Sequence, residues 1–292
     1  IIMFDNFELK NNFFQFLEIY KQRPIKNNIS GIGIEHAFAL FTILRKIKPS
    51  FVIESGVFKG MSTWLIEKAL PDSKIFCIEP NLDKIEYISK NAKYFQEDIT
   101  LIDWKNLDKE NTLIFFDDHV CFSKRIDFLK KNNFKHITFD DNLPSSAIGY
   151  ITPRSIISEK FINPKKKINY IYIFRLLKYF LKFYFTDSQN YKKIIFKKRY
   201  VEFHFKDYDE SVIFKCKKFK KKIYNYYEFP PLIKFDGKKR FSQQIKKYDL
   251  DCEKVLGTIA DPIFDQNIKE LKEYEKELGI QYGNFCYYEF LQ

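Results

Sequence analysis

Between Ile34 and Leu70 the hydrophobic rhythm of the chain changes twice. Apolar residues at Ile34, Phe38, Leu40, Phe41, Ile43 and Leu44 recur at the three-to-four spacing of one helical face and stop at Lys48-Pro49-Ser50, which predicts a helix over 34–47. The next run, Phe51-Val52-Ile53, is apolar without alternation. It ends in Glu54, passes through Gly56 and Gly60, and opens into a second amphipathic stretch that reaches Leu70. Comparable short runs follow at KIFCIEP (74–80), TLIFFDD (112–118) and KHITFDD (135–141). Unbroken apolar runs interleaved with helical segments predict an α/β fold: a parallel sheet with helices on both faces.

The regular alternation fades after Pro144 and returns only at the end. DPIFDQNIKELKEYEKELG predicts a helix over 261–279, with Asp261 as cap and Gly279 as stop, and GNFCYYEFL predicts a last strand over 283–291. Between them, INYIYIFRLLKYFLKFYF (168–185) sets Arg175, Lys178 and Lys182 on one helical stripe. That pattern suits a cap helix packed on the domain, and it also suits a helix lying on an anionic membrane. An alternating run, KKIIFKKRYVEFHFKDY, follows as a candidate strand, then the basic run KCKKFKKK. The chain therefore divides into an N-terminal helical segment (1–50), a ligand-binding core (51–150), a basic α+β insertion in which substrate choice would reside (151–250), and a C-terminal helix and strand that complete the core (251–292).

Charge sharpens this division. The 292 residues carry a formal net charge of +12, yet residues 151–240 alone hold 24 Lys and Arg against 8 Asp and Glu, a net of +16. Such a segment suits an anionic partner: nucleic acid, a phosphorylated or otherwise anionic substrate, or a membrane surface. No recognisable nucleic-acid module accompanies it, which favours a small anionic acceptor or a solvated basic face. The five cysteines show no C-x-x-C spacing and suggest neither a zinc site nor a disulfide framework. No apolar run approaches the ~18 residues of a membrane span and no export signal opens the sequence, so a soluble, cytoplasmic protein is expected.

Candidate chemistry gathers at the ends of the predicted strands, where Glu54, Glu79, Asp117 and Asp140 stand. In an open α/β sheet that edge binds ligands. The turn after the first strand is G-x-x-x-G, not the G-x-G-x-x-G of dinucleotide folds or the GK[ST] of a P-loop, so a pyrophosphate cradle is disfavoured. Gly56 and Gly60 allow close approach of the backbone, and Ser62 or Thr63 can donate near the helix start. Glu79, 23 residues after Gly56, is placed to accept from both hydroxyls of a ribose. A structural glycine turn beside a solvated glutamate is the competing explanation.

The stretch ESGVFKGMS resembles the first motif of class I S-adenosylmethionine-dependent methyltransferases, and CIEP resembles the acidic end of their second strand. TLIFFDDHVCFSKRIDFLKKNNFKHITFDDNLP is similar to a subgroup related to the catechol, macrocin and cephalosporin-biosynthesis enzymes. The resemblance covers 51–144, about a third of the chain. It implies a Rossmann-like class I methyltransferase sheet, with S-adenosylmethionine held by Glu54, Gly56, Gly60, Ser62, Glu79 and Asp98. It further implies Mg²⁺ on Asp117, Asp141 and Asn142, which would lower the pKa of an acceptor hydroxyl, with His119 and Asp117 as the catalytic pair. Asp127 would lie on the intervening helix. Two departures from the family pattern stand out: KKNNF replaces a glycine pair before the fifth strand, and the Asp-to-His spacing is one residue short, which leaves Asp117 and Asp118 as rival ligands. The activity expected is O-methylation of a small hydroxylated acceptor, sugar-derived or anionic. Methylation of nucleic acid, and a noncatalytic relative that binds a polyanion or peripherally contacts a membrane, are the alternatives.

Overall fold

The computed structural model describes residues 4–28, 31–143, 145, 150–161, 210–232, 262–264, 269–274 and 285–291. The chain opens with α1 (Asn6–Tyr20), capped by the Asp5 carboxylate on the Glu8 amide, and α2 (Ile34–Ile47), which ends at left-handed Lys48. Phe13 and Phe16 of α1 pack on Phe38 of α2 with ring centroids 5.4 Å apart in both pairs. The predicted helix 34–47 is thus observed with the same limits.

Five parallel strands follow: β1 (Phe51–Ser55), β2 (Lys74–Ile78), β3 (Ala92–Phe95), β4 (Thr112–Phe116) and β5 (His136–Phe139). Helix α3 (Met61–Ala69) connects β1 to β2, and α4 (Phe122–Asn132) connects β4 to β5. Later come α5 (Pro153–Ser158), α6 (Glu210–Lys220), β6 (Ile223–Glu228) and β7 (Cys286–Phe290). The seven strands form one sheet in the order β3-β2-β1-β4-β5-β7-β6, with β7 antiparallel to both β5 and β6. This is a Rossmann-like α/β sheet with the strand arrangement of the class I methyltransferase fold.

The unbroken apolar strands have a direct structural cause. Val52, Leu113 and Phe115 point into the core shared with α1, α2 and α3, while Ile53, Ile114 and Phe116 point into the opposite core with α4 and α6. Each buried side chain of this size contributes about 1.5–3 kcal/mol relative to exposure. Two-sided burial removes any reason for polar alternation.

The boundary of the basic insertion needs correction. Residues 210–232, counted within 151–250 from charge alone, contribute α6 and the edge strand β6 to the core sheet. The lysine-rich run 215–222 buries Cys216 and Phe219 at i, i+3 spacing, and Phe219 packs on Phe122 and Phe290 at 5.8 and 5.3 Å. The lysines between them take the solvent side. Within the predicted helix 261–279 the described residues include a short 3-10 turn, Lys269–Tyr274. The expected helix 168–185 and the alternating run 192–208 lie outside the described residues. Among the described residues no helix is long and apolar enough to cross a membrane.

Candidate functional site

Chain direction across the sheet reverses between β1 and β4, so the loops after their C-terminal ends diverge and leave a crevice. The loop after β1 forms one wall. Gly56 and Gly60 have φ of +96° and +91°, and an added Cβ would meet the Asp117 carbonyl oxygen at 2.2 Å and the Tyr87 carbonyl oxygen at 2.4 Å. Both glycines are therefore required by neighbouring backbone, apart from any ligand. Phe58, between them, is also left-handed at φ 52°.

Glu79, just past β2, fastens this loop. Its Oε2 accepts from the Phe58 and Val57 amides at 2.8 and 3.2 Å, and its Oε1 accepts from Asn81 N at 3.0 Å. The carboxylate stands at the crevice edge, half-buried. Glu54 reaches the same loop from beneath. It is fully buried, its Oε2 receives the Thr63 hydroxyl at 2.5 Å and the Cys77 thiol at 3.3 Å, and burial pushes its carboxyl up to about 7. Ser62 and Thr63 are buried in the first turn of α3. The sequence-based expectation placed Glu54 and Ser62 around the cofactor; the structure places both as supports under the loop, because inward-facing strand and helix positions cover them.

Asp98, after β3, is half-exposed and heavily bonded. Thr100 donates its amide and hydroxyl to Oδ1 at 2.9 and 2.6 Å, and Arg125 Nη1 reaches Oδ1 and Oδ2 at 2.9 and 3.0 Å. Despite partial burial, the Thr100 and Arg125 contacts hold its carboxyl below the ordinary value. S-adenosylmethionine fits this wall: Glu79 and Asp98 offer carboxylates on adjacent strand ends, and the N-terminus of α3 begins at Gly60 with no side-chain cap, as an anion-accepting helix end does.

The other wall is built from the ends of β4 and β5. Asp117 hydrogen-bonds Asp140, and burial together with the charges of Asp140 and Asp141 drives the Asp117 carboxyl well above its usual range. Asp140 in turn binds His36 Nδ1, from the first turn of α2. Asp118 is drawn away by Ser55 Oγ and Arg125 Nη2, both at 2.6 Å. His119, left-handed at φ 52°, directs Nδ1 at Asp141 Oδ2 at 2.6 Å, and Tyr150 donates its hydroxyl to the same oxygen at 2.9 Å. The hydrogen bond and charge of Asp141 raise the His119 imidazole to about 9, although burial opposes this. His119 and Tyr150 hold Asp141 below the ordinary carboxylate value against the effect of its own burial. The bonded nitrogen therefore carries the proton, and the exposed Nε2 faces the crevice side of the ring.

A divalent cation does not fit the donors as they stand. The predicted ligand Asn142 is wholly buried; its Oδ1 accepts the Arg154 amide at 2.8 Å, and its Nδ2 donates to Tyr226 at 2.7 Å and Glu228 at 3.3 Å. Arg154 and Glu228 themselves form a buried ion pair, with Nε to Oε1 at 2.8 Å, which fixes Asn142 away from Asp117 and Asp141. Asp141 spends its inward oxygen on His119 and Tyr150. Among the described residues no group of three or more His, Cys, Asp or Glu side chains is arranged around a common point for a metal ion. Asp127 lies on α4, exposed, paired with Lys215 at 2.5 Å.

Sequence reasoning missed His36, Arg125 and Tyr150. His36 carried a signal, as a polar residue within an otherwise apolar helical face; Arg125 sat in a helix whose charges looked uniformly surface-bound.

No protein-family model matches the chain, and no curated protein matches it in sequence. Solved structures similar to it include the SAH-bound methyltransferase PaMTH1 of Podospora anserina, with 14% identity, a TM-score of 0.35, and 53% of this chain and 70% of that one covered. The O-methyltransferase TomG of Streptomyces achromogenes, involved in tomaymycin synthesis and solved with SAM, has 11% identity and a TM-score of 0.34 over 53% of this chain and 70% of that one. The plantazolicin methyltransferase BpumL, in complex with a pentazolic desmethylPZN analog and SAH, has 13% identity and a TM-score of 0.39 over 99% of this chain and 100% of that one.

Proposed function

We propose that the chain is an S-adenosylmethionine-dependent methyltransferase that acts on the hydroxyl of a small acceptor, with His119 and Asp141 as its acid–base pair. The observation that carries this reading is the division of side chains about the crevice between β1 and β4. Carboxylates suited to a nucleoside, Glu79 and Asp98, stand on the β2 and β3 side, and a solvent-facing His–Asp pair stands on the β4 and β5 side.

S-adenosylmethionine, when bound, supplies an electrophilic methyl group. The chain's own residues do the rest. Glu79 and Asp98 would hold the ribose and the base, and the backbone of the Gly56–Gly60 loop would lie against the cofactor between them. His119 Nε2 would take the proton of the acceptor hydroxyl as the oxygen gains the methyl group, leaving S-adenosylhomocysteine as the second product. Asp141 fixes the ring with Nδ1 protonated and stabilises the imidazolium that forms. No step is assigned to Mg²⁺, because Asn142 and Asp141 are committed elsewhere.

Calorimetric titration of S-adenosylmethionine and S-adenosylhomocysteine tests the cofactor, with Glu79→Ala as control. Binding of both that is lost in the variant supports the proposal. Absence of binding by the wild type would sink it. Repeating the titration with an acceptor in Mg²⁺ and in EDTA separates the His–Asp reading, which expects equal turnover, from metal assistance.

A further inference from the structure

Arg125 ties the two walls of the crevice together. Its side chain is only 4% exposed, Nη1 contacts both oxygens of Asp98, and Nη2 contacts Asp118 at 2.6 Å, with the guanidinium 5.8 Å above the Phe116 ring. The contacts on Asp98 are unequal. Oδ1 receives three donors, from Arg125 and from the Thr100 amide and hydroxyl, whereas Oδ2 receives Arg125 alone among the described residues. A carboxylate offers about four lone-pair positions, so the open one is on Oδ2, on a side chain that is 45% exposed at the sheet edge.

From this we infer that Arg125 is a positioning residue that holds Asp98 as a reader of a 6-aminopurine. The inference rests on the cofactor reading above and goes further, to what sets base specificity. An acceptor-only oxygen complements the amino group of adenine and opposes the oxo group of hypoxanthine. A mobile aspartate could evade that opposition by swinging to the neighbouring N1–H. Asp98 cannot swing, because a buried guanidinium anchored on Asp118 grips both of its oxygens. Discrimination between the two purines is therefore a property of Arg125 acting through Asp98.

The test compares S-adenosylhomocysteine with S-inosylhomocysteine by calorimetry. Wild-type protein is expected to prefer the adenosyl compound by about tenfold or more, since a lost charged hydrogen bond and a repulsive contact combine. Arg125→Lys, which can make one directed contact where Arg makes several, is expected to bring the two affinities within about threefold. A purely structural role would weaken both ligands and leave their ratio unchanged. Asp98→Asn should reverse the preference, because Thr100 and Arg125 retain the amide oxygen and turn the amide NH₂ outward toward a 6-oxo group. Circular dichroism and thermal melting check that Arg125→Lys is folded; should it not fold, the half-exposed Asp98→Asn decides alone. Equal binding of both compounds by the wild type, an unchanged ratio in Arg125→Lys, or an unchanged preference in Asp98→Asn would overturn the inference while the cofactor reading stands. Failure of the wild type to bind S-adenosylhomocysteine would overturn both.

Discussion

Glu79 accepts the Phe58 amide at 2.8 Å, so the end of β2 holds the loop after β1 in its left-handed turn before any ligand arrives. Phe58 is a bulky residue at positive φ, a conformation that persists only where surroundings impose it. Glu79→Ala removes that restraint and should lower stability by about 1–2 kcal/mol, the scale of hydrogen bonds to a partly exposed carboxylate. Glu79→Gln keeps an acceptor oxygen and should lose about half as much. Urea denaturation of the three proteins measures this, and an unchanged midpoint in Glu79→Ala would show that the loop holds itself.

The three described glycines of the N-terminal half should differ sharply in their tolerance of alanine. At Gly56 and Gly60 a Cβ meets backbone carbonyl oxygens at 2.2 and 2.4 Å and φ is left-handed, so neither neighbour nor residue can yield. Each substitution should cost more than about 3 kcal/mol and leave little folded protein. At Gly31 the nearest atom, also at 2.4 Å, belongs to the Asn28 side chain, which can rotate. Gly31→Ala should cost about 1 kcal/mol at most. Comparable melting temperatures for Gly31→Ala and Gly56→Ala would contradict the geometry.

Glu54 makes stability depend on pH in a direction opposite to that of most carboxylates. Its carboxyl is raised by burial from 4.5 to about 7, so the folded state binds the proton more tightly than the unfolded state. Its contribution is complete below about 4.5, declines as pH rises, and is gone above about 7. The gap corresponds to about 3 kcal/mol across that window. Glu54→Gln keeps the size and an acceptor for Thr63 but cannot ionise. Its stability relative to wild type should therefore rise by about that amount between acidic and neutral pH. A difference that stays flat with pH would mean that Glu54 is solvated.

How much of this was legible in the sequence follows from which interactions are local. Val52-Ile53 and Phe115-Phe116 read as buried strands because both sheet faces are covered, and periodicity reports that directly. The α6 and β6 elements were hidden because six lysines in eight residues mask a helix that buries only Cys216 and Phe219 in that run. Glu79 and the glycines were visible as residue types at strand ends, but the structure was needed to show that the glycines answer to Asp117 and Tyr87 backbone. Asn142 misled for a similar reason. An amide after two aspartates matches a ligand pattern, and only the folded chain reveals Arg154 and Glu228, 12 and 86 residues away, competing for it. His36 and Asp140 are 104 residues apart, beyond the reach of any spacing rule.

His119 and Asp141 allow the proposed chemistry to be probed before an acceptor is known. The pair raises the imidazole from 6.5 to about 9, chiefly through the Asp141 hydrogen bond. At pH 7 only about one imidazole in a hundred would then be neutral. Methyl transfer that depends on neutral His119 should climb about tenfold per pH unit from 7 and level off near 9. The ion pair works in the other sense: its stabilising effect is complete below about 6.5 and is lost as pH rises through about 9. Activity would thus grow as the pair's hold on the loop weakens. Proton NMR of the His119 ring measures the midpoint directly. A value near 9 in the wild type that falls toward 6.5 in Asp141→Asn establishes the pair, with the rate profile expected to shift in the same direction. A wild-type midpoint already at 6.5 would mean that Asp141 does not grip the ring in solution, and the base would have to be sought among Asp117 and Asp140.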